Sequence, residues 1–223
     1  MRKRKYRKIY KKRNLKNKYF NLANSTKKYK GCKNIYAYKS NIHNLIYKDA
    51  NFENVRYQAS NITYCNFKNS KLLGVDFANT NLKYTNFKGA KLEEVIFFNC
   101  NLKNVNFENV QFKKVFFIST NIKNARNLNL DEGCVYINSY PNIELNTDIL
   151  NAIDKLKNCS EIYKSHVLHV NKNKINLWNI NLLLNYGQEN LTRCMQALLR
   201  RKNKHNFYTV YSYKKFIENY LKI

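Results

Sequence analysis

The sequence predicts a mainly β fold in which the middle of the chain winds into a four-sided solenoid. Seventeen consecutive five-residue units run in phase from Ser40 to Asn124, and the third residue of every unit is large and apolar. A period of five fits neither the α-helix nor the β-strand, so the chain must bend once per unit and close into a polygonal coil. Residues twenty positions apart are of the same type, which indicates four units per coil.

Three columns of residues spaced by twenty positions support this coil. One column is valine, one is aliphatic and one is aromatic: Val55, Val75, Val95 and Val115; Ile42, Ile62, Leu82, Leu102 and Ile122; Tyr47, Phe67, Phe87 and Phe107. Stacked coils should lie about 4.8 Å apart, the spacing of paired strands. A further column, from Asn41 to Asn121, is expected to form a ladder of amide side chains.

The pattern resembles the pentapeptide-repeat family, whose consensus unit is a small residue, Asp or Asn, Leu or Phe, and two variable polar positions. Units such as CNFKN, VDFAN and TNLKY carry the resemblance, which covers about 85 residues. It implies a right-handed quadrilateral β-helix. The second position departs from the consensus at Ile46, Arg56, Ile96 and Phe116, which changes the expected surface and not the expected fold.

We expect three parts: a basic N-terminal arm over residues 1–39, the β-helix over residues 40–126, and a connector with a small α-helical C-terminal module over residues 127–223. The arm holds sixteen lysines and arginines and no acidic residue, which is typical of a disordered segment or of a helix ordered by a partner. After Ala125 the five-residue register is lost. Helices are predicted from Asn146 or Thr147, over Trp178 to Tyr186 and up to Gly187, over Glu189 to Lys202, and over Ser212 to Leu221.

The charge of the chain favours an anionic partner, either nucleic acid or an acidic membrane surface. Lysine and arginine number 41 against 14 acidic residues, a net charge of +27. The expected nucleic-acid contacts are Arg2, Lys3, Arg4, Lys5, Arg7, Lys8, Lys11, Lys12 and Arg13 of the arm and two rows on the coil, Lys83, Lys103 and Lys123 beside Lys48, Lys68 and Lys88. The alternatives are an arm that touches anionic lipid or keeps the protein in solution, and solvated lysine rows that discourage aggregation.

The fourth side of the coil is expected to be an interface. Ile96, Phe98, Phe116 and Ile118 fall on outward positions of adjacent coils, and such a patch is unusual in water. The explanation we favour is that the C-terminal helices fold back over it. A homodimer or another protein partner is the alternative.

The sequence shows no catalytic constellation, so we expect no enzyme, no cofactor, no metal and no small-molecule substrate. His166 and His169 have metal-compatible spacing on a predicted helix but no third ligand nearby, and Cys65 and Cys100 occupy inward positions. The six scattered cysteines favour a reduced, cytoplasmic protein. The basic N-terminus is not expected to be a secretory signal, and no apolar run is long enough to span a bilayer.

These observations favour a non-enzymatic binding or scaffold protein that associates with nucleic acid or a nucleoprotein complex through its basic surfaces. The family resemblance offers an alternative, because some of its members bind and protect type II topoisomerases such as DNA gyrase by imitating DNA with an acidic surface. The repeats carry eleven basic against six acidic residues here, the opposite sign. A protein–protein interaction module of a larger assembly, acting through the apolar face or the C-terminal helices, is the third possibility.

Overall fold

Parallel stacking of five-residue units dominates the computed structural model, which describes residues 21–223. The predicted mainly β solenoid with C-terminal helices is confirmed. The strands of the solenoid are β1 (Asn21–Ala23), β2 (Gly31–Tyr38), β3 (Asn41–His43), β4 (Asn51–Gln58), β5 (Asn61–Thr63), β6 (Lys71–Ala78), β7 (Lys91–Glu93), β8 (Ile96–Phe98), β9 (Gln111–Lys113), β10 (Val115–Ile118) and β11 (Cys134–Ile137). All strand pairs between β3 and β10 are parallel and join residues twenty positions apart.

The register of twenty gives the coil four faces, which we number by the inward residue at the centre of each unit. Face 1 carries Ile42, Ile62, Leu82, Leu102 and Ile122; face 2 carries Tyr47, Phe67, Phe87 and Phe107; face 3 carries Phe52, Leu72, Leu92 and Phe112; face 4 carries Tyr57, Phe77, Phe97 and Phe117. On face 1 the paired positions 21, 41, 61, 81, 101 and 121 make six stacked levels. At about 4.8 Å per level this is a rod of roughly 24 Å.

The interior of the rod is filled by stacked rings. On face 2 the ring of Phe87 lies 5.0 Å from that of Phe67 and 5.6 Å from that of Phe107, both in stacked geometry. The ring of Phe97 on face 4 meets the ring of Phe87 edge to face at 6.3 Å. Both arrangements are favourable for aromatic quadrupoles, and the rings of Phe67, Phe87, Phe97 and Phe107 are almost completely buried.

A left-handed backbone conformation turns the chain at every corner. Sixteen consecutive corner residues, every fifth position from Asn44 to Ser119, have φ between 46° and 67°. A Cβ atom disfavours this conformation, and glycine and asparagine tolerate it best. Asparagine and glycine accordingly fill most corners, which gives the abundant asparagine of the repeats a structural cause.

The coil begins earlier than the predicted boundary at Ser40. Strands β1 and β2 pair with β3 and β4, so residues 21–39, expected to belong to the arm, form the first coil. The sequence did not reveal this coil because the spacing between paired residues changes locally from twenty. Lys28 pairs with Ile46, only eighteen residues away, and the ring of Tyr29, not Lys27, packs against Tyr47 at 5.7 Å.

The coil also ends later than predicted. Strand β11 adds to β10 on face 4 with a spacing of nineteen residues, Val115 opposite Cys134, so part of the expected connector is the last strand of the sheet. The sequence did not predict β11 for two reasons. No further repeat units follow it, and its spacing from β10 is nineteen residues where the repeats have twenty.

Five helices and a short hairpin form the C-terminal module. The helices are α1 (Thr147–Leu156), α2 (Ser160–Tyr163), α3 (Leu177–Leu183, extended by a 3-10 turn to Tyr186), α4 (Gln188–Arg200) and α5 (Val210–Leu221); the hairpin pairs β12 (His169–Asn171) with β13 (Lys174–Ile175). Asn146 caps α1 by accepting a hydrogen bond from the Ile149 N–H, as its position predicts. Gly187, with φ of 80°, separates the 3-10 turn from α4.

The C-terminal module covers face 4. Ile96 and Ile118 are buried in one apolar cluster with residues of α1, α4 and α5, and Phe98 and Phe116 pack against the same cluster. Helix α5 lies so close to the coil that a Cβ on Gly74 would be 2.3 Å from the ring of Tyr211. The outward apolar residues of the repeats are therefore part of an internal interface.

A buried polar network fixes the start of α5 against the coil. The Arg56 guanidinium and Asp76 carboxylate are 2.9 Å apart with side chains 6% and 1% exposed, and Asp76 also accepts the Val210 N–H at 3.2 Å. Thr209, the N-cap of α5, donates its hydroxyl to Asn54 at 2.8 Å. Burial raises the pKa of Asp76 to about 6, although Arg56 and the Val210 N–H act in the opposite direction.

The stacked rings make a first prediction about stability. Phe87→Ala should lower the free energy of unfolding by about 3–5 kcal/mol, because it removes a fully buried ring from the middle of the rod. Phe87→Leu should cost clearly less, since leucine occupies the same position in other units. Urea unfolding followed by circular dichroism measures both; equal losses would contradict the packing argument.

The buried ion pair makes a second prediction. Arg56→Met should destabilise the protein by about 3–5 kcal/mol at pH 7, because Asp76 is left as an unpaired buried charge. The double change Arg56→Met with Asp76→Asn should recover most of the loss. Urea unfolding at neutral pH, with the wild-type chain as reference, measures both values.

The pH dependence of the single variant follows from the Asp76 pKa. An aspartate in the unfolded chain has a pKa of about 3.9, whereas burial raises that of folded Asp76 to about 6. Between these two pKa values Asp76 binds its proton in the folded protein but not in the unfolded chain. Protonation of Asp76 therefore stabilises the folded protein as the pH falls toward and below about 6. The gain from pH 7 to pH 5 should be larger in Arg56→Met, which lacks the opposing cation, and absent from the double variant. If Arg56→Met gained no stability between pH 7 and pH 5, Asp76 would not be the group that titrates there.

Candidate nucleic-acid interface

The lysines of face 1 form a column along the rod. Lys83, Lys103 and Lys123 occupy the position after the inward residue on three successive coils. Their backbone N–H groups donate to the side-chain oxygens of Asn81, Asn101 and Asn121 at 3.3, 3.1 and 3.0 Å. The predicted asparagine ladder is formed between Asn81 and Asn61 at 3.2 Å. The asparagine column therefore also holds the backbone from which the lysines project.

These three lysines have no carboxylate within ion-pair distance among residues 21–223. Lys103 and Lys123 are exposed and Lys83 is half-buried. Like charges stacked one coil apart repel each other, and nothing in the described part of the chain offsets that repulsion. Face 1 is thus a surface on which an anion would relieve an unfavourable interaction.

The lysine row of face 2 is partly neutralised. Lys48, Lys68 and Lys88 are stacked as expected, but Glu108 continues the same column and lies 2.6 Å from Lys88. The hydrogen bond from Lys88 lowers the pKa of Glu108, which favours its ionised form. Asp49, beside Lys48, pairs with Lys28 at 2.8 Å. Face 2 therefore offers fewer unpaired cations than the sequence suggested.

Ion pairs also occupy much of face 3. Lys33 pairs with Glu53 at 2.6 Å, and Lys113 pairs with Glu93 at 2.6 Å, each across one coil spacing. Five of the six acidic residues of the repeats thus pair with lysines of faces 2 and 3, and the sixth, Asp76, pairs with Arg56 on face 4. The column of three lysines on face 1 is left without such partners among the described residues, as are the stacked Lys71 and Lys91 of face 3.

Two stacked tyrosines stand on the corner between face 1 and face 2. The rings of Tyr64 and Tyr84 are 4.6 Å apart and 15° from parallel, and they are 51% and 42% exposed. His43 meets Tyr64 edge to face at 5.2 Å. These tyrosines are not among the site residues predicted from the sequence. Their spacing of twenty at a corner position, where asparagine and glycine predominate, is the signal that identifies them.

Comparison with known proteins agrees with this geometry. Residues 60–99 match the family model described as pentapeptide repeats, with eight copies. Within the central solenoid, residues 60–99 are thus pentapeptide repeats. None of the curated protein sequences matches the chain at a significant level.

Solved structures similar to parts of the chain include the following two. A trypsin-treated variant of QnrB1, described as a plasmid-mediated fluoroquinolone resistance protein, has 10% identity and a TM-score of 0.24, with 38% of this chain and 57% of that chain covered. The pentapeptide repeat protein Rfr23 from the cyanobacterium Cyanothece 51142 has 14% identity and a TM-score of 0.18, with 48% of this chain and 91% of that chain covered. The alignment with QnrB1 thus spans little more than half of that protein.

The other predicted site residues lie in two places, the N-terminal arm and face 4. The nine arm residues from Arg2 to Arg13 lie outside the described residues. The predicted interface residues of face 4 are at the junction with the C-terminal module, as described above, and not on a free surface of the repeat domain. Among residues 21–223 no helix is long and apolar enough to cross a membrane.

The histidines are not placed on a helix as predicted. His166 lies in a turn with φ of 52° and His169 begins β12, because α2 is only four residues long and ends at Tyr163. No group of three potential metal ligands occurs among the described residues. Cys65 and Cys100 lie in the core, where burial raises the pKa of their thiols to about 11 and about 12, so both are held as thiols at neutral pH.

Proposed function

We propose that this pentapeptide-repeat protein is a non-enzymatic scaffold that binds nucleic acid, alone or in a nucleoprotein complex, through face 1 and its basic N-terminus. The observation that supports the proposal is the column of Lys83, Lys103 and Lys123, stacked on successive coils and unpaired among the described residues. A polyanion that runs along the rod would contact all three at once.

The physical basis of this binding is neutralisation of stacked cations. Each phosphate contact releases a condensed counterion, so the observed affinity falls with salt in proportion to the number of contacts. Residues 1–20 hold eleven of the 41 lysines and arginines, which leaves thirty basic residues against all 14 acidic ones in the rest of the chain. The described part is therefore itself strongly basic, and it presents its unpaired lysines on a rigid surface.

The other two candidate functions have less support. A protein that binds DNA gyrase or another topoisomerase by imitating DNA requires an acidic surface. The unpaired charges of faces 1 and 2 are positive. A protein partner on face 4 would have to displace the C-terminal module from a buried apolar cluster and from the Arg56–Asp76 pair. The cytoplasm remains the proposed compartment, because six cysteines without close pairs in the sequence suit a reducing environment.

The third prediction concerns the salt dependence of binding. The full chain should bind a DNA duplex with an affinity that falls steeply with salt, and Lys83→Gln, Lys103→Gln and Lys123→Gln together should reduce the slope of log K against log salt by about 2–3. Fluorescence anisotropy at several salt concentrations measures the slope.

A matched control removes the same charge from paired lysines. Lys33→Gln, Lys113→Gln and Lys114→Gln change three lysines that each face a glutamate, and this variant should change the slope by less than half as much. Equal effects of the two triple variants would contradict a role for face 1 in particular. A separate variant with the nine arm residues changed to glutamine measures the contribution of the arm.

A further inference from the structure

The tyrosine pair on the corner of faces 1 and 2 lies outside the packed core of the coil. Tyr64 and Tyr84 are both exposed, and their rings stack on each other outside the core. Both residues have positive φ, 56° and 59°, a conformation that is unfavourable for a bulky side chain. The same corner column carries asparagine at Asn44 and Asn104, so the fold does not require an aromatic residue there.

The position of the pair relative to the lysines is fixed by backbone hydrogen bonds. The Tyr64 N–H donates to the Lys83 carbonyl and the Tyr84 N–H donates to the Lys103 carbonyl, both at 3.1 Å. Tyr84 directly follows Lys83 of its own coil, Tyr64 directly follows Thr63, and the backbone of each tyrosine is hydrogen-bonded to the lysine of the next coil. The next residue in the corner column is Asn104, so no third ring follows Tyr84 in the column.

We propose that face 1 and this corner bind single-stranded nucleic acid, with a base stacked on the Tyr64–Tyr84 pair and the adjoining phosphates at Lys83 and Lys103. Exposed aromatic rings beside a row of cations are the two elements of a sequence-tolerant single-strand site. A duplex hides the faces of its bases in its own stack, and rings on a convex corner of the rod cannot reach them. The inference rests on the proposed function and specifies its ligand.

The test compares two probes on the full chain. An oligothymidylate and a DNA duplex of the same length are titrated by fluorescence anisotropy at one moderate salt concentration, with wild type and with the variant Tyr64→Asn/Tyr84→Asn. Asparagine is the residue that the coil itself places at Asn44 and Asn104, so the variant retains the corner conformation. We expect wild type to prefer the oligothymidylate. The variant should bind the oligothymidylate about five- to tenfold more weakly and the duplex within twofold of wild type.

Two further variants separate stacking from other effects. Tyr64→Phe/Tyr84→Phe keeps both rings and should bind the oligothymidylate within twofold of wild type. Tyr220→Asn removes a tyrosine that is 42% exposed on α5, away from the lysine column, and should leave both affinities unchanged. Circular dichroism and thermal unfolding of each variant establish that the coil is retained.

The outcomes distinguish this inference from the proposed function. Unchanged affinity of the double asparagine variant for the oligothymidylate, or an equal loss for both probes, overturns the stacking site while the lysine dependence on face 1 stands. Absence of binding to either probe by wild type overturns the proposed function and the inference with it.

Discussion

The left-handed turn that ends each five-residue unit is the constraint on which the rest of the structure depends. Repeated every fifth residue from Asn44 to Ser119, it closes four short sides into one coil and returns the chain to the same register after twenty residues. Each face then presents one column of identical positions. Stacked phenylalanines fill the interior for this reason, and stacked lysines, asparagines and tyrosines follow the same columns outside it.

The same regularity concentrates charge. A basic residue that recurs every twenty positions meets its own kind on the next coil, where like charges are unfavourable. On faces 2 and 3 the chain offsets part of this with glutamates placed one coil away, as at Lys88 and Glu108, although Lys71 and Lys91 of face 3 stack without such a partner among residues 21–223. On face 1 the described residues provide no such partner, and this difference between faces is the basis of the proposed function. Face 4 is occupied by the C-terminal module, which replaces solvent over Ile96 and Ile118.

Much of the fold and part of the candidate site could be predicted from residue spacing. The inward columns, the four faces and the lysine rows follow from a period that local physics alone enforces. The first coil could not be predicted, because Tyr29 replaces Lys27 in the core after a slip of phase. The pairing of Lys88 with Glu108 could have been predicted, because Glu108 follows Lys88 by twenty residues in the same column of face 2. The tyrosine corner was not predicted, because the consensus unit leaves the corner position variable.

By itself, the sequence determined that the repeats must coil, which side chains face inward and which columns face solvent, since these depend on the periodic bending of one backbone. Only the tertiary structure decided which columns remain available. The helices of the C-terminal module lie far from face 4 in sequence, and their docking through Asp76, Val210 and the buried isoleucines depends on contacts between distant segments that no local period encodes.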